Sequence, residues 1–336
     1  MRIVKYLFAF FSFSAIIFCR GKSKKFFKGN KRYMVFVIVN VMVAVVLYFL
    51  ACAFIARSLG LVKCIDPKKA YQKENRRHFL DGYKNWKSEE YIIKSFDGYE
   101  LHTTYIPSAA PSKKFVILVH SSTYCRIGGI KYFNIFRKMG YNGILFDLRG
   151  HGDNKKAPST WGIKESKDLL CVIDDTIKRF GDDIKIGVHG ECLGGVTALT
   201  ALKYHPHISF VIADSCYNSL YSLICKLVEQ IGHVSLAHFD PAAIFFKHMF
   251  GFSYKKIFTK DSLSGNKVPI CFIQGDSDCV VPVDDTMELK SATNGYTEMH
   301  IFKGADHTRN ILADADRYEE IVKNFLYRVR LLELAA

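Results

Sequence analysis

Residues 184–195, IKIGVHGECLGG, set a cysteine between two glycines at fixed spacing: Gly190-Glu191-Cys192-Leu193-Gly194 has the form G-x-nucleophile-x-G. A strand-like run, Ile184–Val188, precedes it, and a helix-forming stretch of about residues 192–204 follows. A chain that turns from strand into helix over so few residues strains the backbone of the middle one. Side chains two positions before and after it would collide, so glycine is required at Gly190 and Gly194. The helix start aims free N–H groups and a positive dipole end at the thiol, which favours a thiolate and can stabilise an oxyanion. A glycine-rich turn around an inert buried cysteine has the same local pattern, so partners elsewhere in the chain decide between the two.

Two such partners lie downstream. Ile273–Pro282 is IQGDSDCVVP, a strand end followed by two aspartates, and Phe302–Asn310 is FKGADHTRN, a strand end followed by His307. The order is then nucleophile Cys192, acid Asp278 and base His307, which suits a thiol activated by an oriented imidazole. Asp276 is the alternative acid or a turn former, and Asp214, at the end of the preceding strand, is a third. An oxyanion hole needs two backbone N–H donors. Leu193, directly after the thiol, is the first. Ser122, in the loop His120-Ser121-Ser122-Thr123, is the expected second. His120, His151 and His189 are the other histidines that could line the site.

Around these motifs the pattern alternates. Strands are expected at Phe115–Val119, Gly143–Phe146, Ile184–Val188, Phe210–Ala213, Pro269–Ile273 and Glu298–Phe302. Helices are expected near 163–180, 192–204, 283–293 and 314–331. Alternation of this kind predicts an α/β domain, a mostly parallel sheet with helices on both faces. Tyr91–Phe96 and Glu100–Ile106 flank Asp97-Gly98 and predict a leading hairpin. The interval 215–267 breaks the rhythm and predicts a small helical lid.

The formal charge of +15 is unevenly placed. Residues 1–80 carry 16 Lys/Arg against 2 Asp/Glu, and residues 81–336 carry 31 against 30. A nucleic-acid-binding domain would hold its charge on the folded part. Here the charge flanks apolar runs, which points to an anionic lipid surface. From Tyr33 to Ala56 no residue is charged, enough to span a bilayer, so a transmembrane helix is expected at 33–56. Residues 6–19 form a shorter apolar run that could span or lie in the interface. If only the second run spans, the positive-inside count puts the C-terminal domain outside the cell; if both span, it is cytoplasmic. Residues 1–60 are thus a membrane anchor, 61–88 a polar juxtamembrane linker, and 89–336 the catalytic-type domain, whose near-balanced charge predicts solubility without the first 60 residues. The ten cysteines form no CxxC pair, which excludes a disulfide framework and a zinc site.

The runs VHSST (119–123), FDLRGHGDN (146–154), GECLGG (190–195), VIADS (211–215), FIQGDSDCVVP (272–282) and GADH (304–307) together resemble bacterial membrane-anchored α/β-hydrolases of the serine aminopeptidase-like, or cell-surface hydrolase, kind. The resemblance covers about residues 89–331 and implies the α/β-hydrolase fold, a site at the bacterial cell membrane facing outward, and no metal or organic cofactor. Two departures stand out: these relatives usually carry serine at the position of Cys192 and His-Gly at that of His120-Ser121. Cys-Leu-Gly-Gly is similar to the elbow of dienelactone hydrolases, which use a Cys-His-Asp triad, and to the cysteine elbow of polyhydroxyalkanoate synthases. The expected activity is hydrolysis of esters, lactones or thioesters with an apolar acyl group. Acyl transfer through the same intermediate, or a catalytically inactive membrane-tethered binding module, are the alternatives.

Overall fold

A computed structural model describes residues 31–232 and 241–331. In chain order the elements are α1 (Lys31–Gly60), α2 (Pro67–Arg76), β1 (Glu89–Lys94), β2 (Glu100–Ile106), β3 (Lys114–Val119), α3 (Ile130–Lys138), β4 (Asn142–Phe146), α4 (Ile163–Phe180), β5 (Lys185–Glu191), α5 (Leu193–Ala201), β6 (Phe210–Asp214), α6 (Leu220–Gly232), α7 (Pro241–Phe250), β7 (Ile270–Gly275), α8 (Val283–Ser291), β8 (Thr297–Phe302), α9 (Asn310–Ala313) and α10 (Ala315–Arg328). They divide into two compact units. One joins Leu61–Leu220 to Ile257 and beyond; the other joins the N-terminal helix to Tyr221–Lys256.

The larger unit is built on one eight-stranded sheet of order β1-β2-β4-β3-β5-β6-β7-β8. β1 pairs antiparallel with β2, and β2 with β4; every other pairing is parallel. The hairpin turns where Asp97-Gly98 predicts it, with Gly98 at φ +78°. The central strands β4, β6 and β7 are buried along their whole length, as expected for parallel strands covered on both faces. The helices show why they dock. In α4 the buried apolar positions Leu169, Val172 and Ile173, with Thr176, keep the i, i+3, i+4, i+7 spacing of one helix face. In α10, Tyr318, Ile321, Val322, Phe325 and Leu326 do the same, and Asp314 caps the helix by accepting from Arg317 N–H at 2.9 Å. Phe133, Phe136, Phe210, Phe302 and Phe325 meet in the core between the sheet and the helices α3 and α10. Each such side chain contributes about 1.5–3 kcal/mol on burial.

Residues 61–88 differ from the linker expected of them. Asp66 caps α2 by accepting from Lys68 and Lys69 N–H at 3.0 and 3.2 Å, and Pro67 occupies the first turn. Ala70 and Glu74, one turn apart, are buried, and Leu80 joins the core of the hydrolase unit. Lys68 and Lys69, which made this stretch look like a solvated linker, are exposed, while Lys73 is half-buried over the Tyr124 ring. The unit therefore starts at Leu61, not Glu89. α3, whose apolar positions fall between two strands, is an element the sequence pattern did not single out.

In the smaller unit, α1 is uncharged from Met34 to Ala56, and Met34–Gly60 is long and apolar enough on average to cross a membrane. Its buried side is narrow: Ala44, Cys52 and Ala56. α1 packs on α7, with Phe49 and Phe245 rings 6.3 Å apart edge-to-face. A methyl group at Gly60 would run into the Phe250 ring. The interval 215–267 does form helices, but only residues 221–256 belong with α1; 215–220 and 257–267 stay in the sheet-containing unit. The apolar run 6–19 lies outside the described residues.

Candidate active site

The turn from β5 to α5 has the strain its glycines imply. Cys192 sits at φ +51°, ψ −111°, left-handed backbone that a side-chain-bearing residue rarely adopts. A methyl group at Gly190 would lie 2.4 Å from the Gly194 carbonyl, and one at Gly194 would lie 2.0 Å from the Val119 carbonyl oxygen. Cys192 N–H donates to Asp214 O at 2.7 Å, which ties the elbow to the neighbouring strand end. Leu193 opens α5, so its N–H is among those with no intrahelical acceptor.

His307, in the loop after β8, is brought to this thiol by the parallel pairing of β5, β6, β7 and β8. Its Nδ1–H donates to Asp278 Oδ2 at 2.8 Å. The Asp278 carboxylate is buried and fully engaged: Oδ1 accepts from Val280 and Val281 N–H at 2.8 and 2.7 Å, and Oδ2 also accepts from Gln274 Nε2 at 3.0 Å. Four donors hold it fixed. Burial alone would lower the His307 pKa. The Cys192 sulfur, hydrogen-bonded to the ring, and the Asp278 carboxylate outweigh it and push the pKa well above its ordinary 6.5. Asp276 lies at the exposed turn instead, where it accepts from Gly304 N–H at 2.7 Å and holds the His307 loop.

The loop after β3 is held by two histidines. Leu148 N–H donates to His120 Nε2 at 2.9 Å, which puts the ring proton on Nδ1, and Nδ1–H donates to Ser121 O at 2.8 Å. Burial first, and the neighbouring His151 second, lower the His120 pKa to about 3, so the ring is neutral. Ser121 O and Ser122 N–H belong to one planar trans peptide, so fixing the carbonyl fixes the N–H in the opposite direction. His151 Nε2 meets Ser122 O at 2.7 Å and anchors the next peptide. His189 is fully buried, bonded to Tyr318 Oη at 2.8 Å, and does not line the site.

Beneath the elbow lies a polar cluster that sequence reasoning missed. Glu191, next to the thiol, pairs with Lys131 Nζ at 2.6 Å and accepts from Tyr132 Oη at 2.5 Å. Asp214 accepts from Tyr318 Oη at 2.9 Å, from Asn310 Nδ2 at 2.7 Å and from Ser215 Oγ at 2.8 Å. Burial, then the nearby Glu191 charge, raise the Asp214 pKa to about 6. Ser215 Oγ in turn accepts from Thr308 N–H at 3.3 Å. Asp214, considered as a third possible acid, thus braces the elbow and the His307 loop from below and does not contact His307. Lys131 and Tyr132 sit on α3, whose polar residues carried no motif; Asn310, three residues past His307, was the legible signal.

A parallel sheet that brings Cys192, Asp278 and His307, in that chain order, to the C-terminal ends of its strands has the α/β-hydrolase fold. Residues 131–329 match the prolyl oligopeptidase family, and the chain belongs to it. Serine is the usual nucleophile of these hydrolases, where this chain carries Cys192. The Bacillus subtilis protein YqkD is 24% identical over 261 residues, spanning 76% of this chain and 84% of its own. The Saccharomyces cerevisiae membrane protein YNL320W is 24% identical over 210 residues, spanning 59% and 67%. Among solved structures, the Pyrococcus furiosus esterase Pf2001 superposes with a TM-score of 0.63 at 23% identity, covering 74% of this chain and 93% of that one. Est1E of Butyrivibrio proteoclasticus, solved with ferulic acid, does so at 0.57 and 18%, covering 72% and 99%.

Proposed function

We propose that the chain hydrolyses carboxylic esters, thioesters or lactones through a covalent acyl-enzyme on Cys192. The observation that carries this is His307 bonded through Nδ1 to Asp278, with the Cys192 sulfur near enough to raise the pKa of the ring. In this reading the Cys192 proton rests on His307, as a thiolate–imidazolium pair. The thiolate attacks the acyl carbon, and the oxyanion forms against the N–H groups of Leu193 and Ser122. Imidazolium then protonates the leaving alkoxide or thiolate. A water, deprotonated by the now neutral His307, attacks the thioester and releases the acid. Asp278 keeps the ring in the one tautomer that serves both steps. None of these steps requires a metal or an organic cofactor.

An acyl-type activity probe on the detergent-solubilised chain, mapped by mass spectrometry, tests the reading. Label on Cys192, lost in His307→Ala, supports it. Label elsewhere, or none together with no turnover of any activated acyl substrate, leaves a membrane-tethered binding protein as the better description. Addition of an acceptor alcohol or thiol distinguishes hydrolysis from acyl transfer. A peptide amide substrate distinguishes an esterase from the peptidase that the family name suggests.

A further inference from the structure

A cavity of about 590 Å³ lies in the sheet-containing unit at the edge where the parallel strands begin, opposite the end that carries Cys192. Its wall is aromatic. Tyr105, Phe115 and Phe180 form one cluster, with Phe180 4.8 Å from Tyr105 and 4.7 Å from Phe115. Trp86 stands among the other lining residues, with the Arg137 guanidinium 4.5 Å over its ring. The floor is prebuilt. Asn142 Nδ2 donates to Ser112 O at 2.8 Å and to Lys114 O at 3.1 Å, while its Oδ1 accepts from Ser108 N–H at 3.0 Å.

The charge in this cavity is unanswered. No carboxylate lines it, and three cations do: Lys87, Lys113 and Arg137. Lys113 pairs with Asp183. Among the described residues, Lys87 and Arg137 have no carboxylate partner. Arg137 Nε is buried without an acceptor, and the stacking contact with Trp86 is what steadies the guanidinium. A half-buried guanidinium with no anion is costly, and its planar fork matches a carboxylate or phosphate. Aromatic walls beside it match a flat ring, and the volume falls within the range of small-molecule sites.

We propose that this cavity binds a small molecule that joins a planar aromatic ring to a carboxylate or a phosphate. The anion sits on Arg137 and Lys87, and the ring lies against the aromatic wall. The site is separate from the acyl-transfer machinery and stands or falls independently of it.

Calorimetry on the full chain in detergent tests this with benzoate and phenyl phosphate as probes, and acetate and inorganic phosphate as ring-free controls. Saturable 1:1 binding is expected for a ring-bearing probe, at least about tenfold tighter than its control. The tighter of the two probes tells carboxylate from phosphate. Arg137→Gln weakens that binding by about tenfold or more, the loss expected of a charge-assisted pair. Lys87 is exposed, so Lys87→Gln leaves the fold intact and weakens binding several-fold. Cys192→Ala leaves it unchanged, and Trp86 emission, from one of two tryptophans in the chain, shifts on binding. No saturable binding of either ring-bearing probe, ring-free controls binding as tightly, unchanged affinity in both cavity variants, or binding lost in Cys192→Ala would each overturn the proposal.

Discussion

At the scale of single residues, the question is what a sulfur does where relatives carry a hydroxyl. Cys192→Ala and His307→Ala are expected to remove thioester turnover by several orders of magnitude, on the order of a million-fold in a well-studied triad. Asp278→Asn frees the imidazole to take the wrong tautomer, and a loss on the order of ten-thousand-fold is expected. The sharper test is the pH profile of kcat/KM. With a thiolate–imidazolium pair, acylation needs the protonated ring to serve the leaving group, so wild-type activity fades on the alkaline side, as His307 deprotonates at its raised pKa. A hydroxyl needs the neutral ring, so Cys192→Ser is expected to be slower and to lose activity on the acid side instead. If both proteins share the acid limb, Cys192 works as a serine-type nucleophile and the resting ion pair is wrong. Asp214 gives a second pH signature, in stability. Its folded pKa of about 6 lies above the ordinary 3.8, so between those values the folded chain holds a proton that the unfolded chain has lost. The resulting stabilisation is complete below the lower value and lost as pH rises through the upper one. Urea midpoints of the wild type are expected to fall from pH 4 to pH 6.5 more than those of Asp214→Asn. Parallel curves for the two would mean that Asp214 does not titrate there.

The elements show which parts of this arrangement could be read in advance. α4 begins and ends where its 3.6-residue pattern does, and β5, α5, β7 and β8 were legible because the motifs pin them: a glycine at 190, a Gly-Asp turn after Ile273, a histidine five residues past Phe302. Motif order pointed to Cys192 and His307 and left Asp276 and Asp214 beside Asp278 as the acid. The bracing beneath them could not be read this way, because Lys131, Tyr132 and Glu191 make contacts only in three dimensions, and a Lys on a helix looks like surface until its carboxylate is found. α2 was misjudged for the same reason, since its lysines outnumber the two buried positions that dock it. The Lys131–Glu191 pair makes this concrete. Both side chains are less than a tenth exposed. Glu191→Gln strands a buried ammonium, and a loss of about 3–5 kcal/mol in unfolding free energy is expected. Glu191→Gln combined with Lys131→Met removes the stranded charge and should recover much of it. A single variant that melts like the wild type would show that the pair is solvated in solution.

The whole molecule sets a limit on how far its two units can be separated. The near-zero charge of residues 81–336 suggests that everything beyond the anchor is soluble alone. The division of the chain argues otherwise, because Tyr221–Lys256, inserted between β6 and β7, belongs with α1. α7 carries Ile244, Phe245, Phe246 and Met249, of which Ile244 is 72% exposed even with α1 present, and Phe245 and Phe250 lose their neighbours Phe49 and Gly60 when α1 is removed. A chain cut to begin at Leu61 keeps α2 and the complete sheet, so its elbow, His307 and Asp278 should remain assembled. It should still associate with detergent or vesicles through the uncovered face of α6 and α7. Beginning at residue 81 instead removes α2 and Leu80, with the buried Ala70 and Glu74, and should lower the melting temperature well below that of the Leu61 chain. The full chain, whose α1 holds a 27-residue candidate membrane span, should resist carbonate extraction. Flotation with liposomes and thermal melts of the three proteins check this together. A Leu61 chain that stays monomeric and lipid-free without detergent would show that residues 221–256 cover their own apolar face. A residue-81 chain as stable as the Leu61 chain would return α2 to the role of a linker.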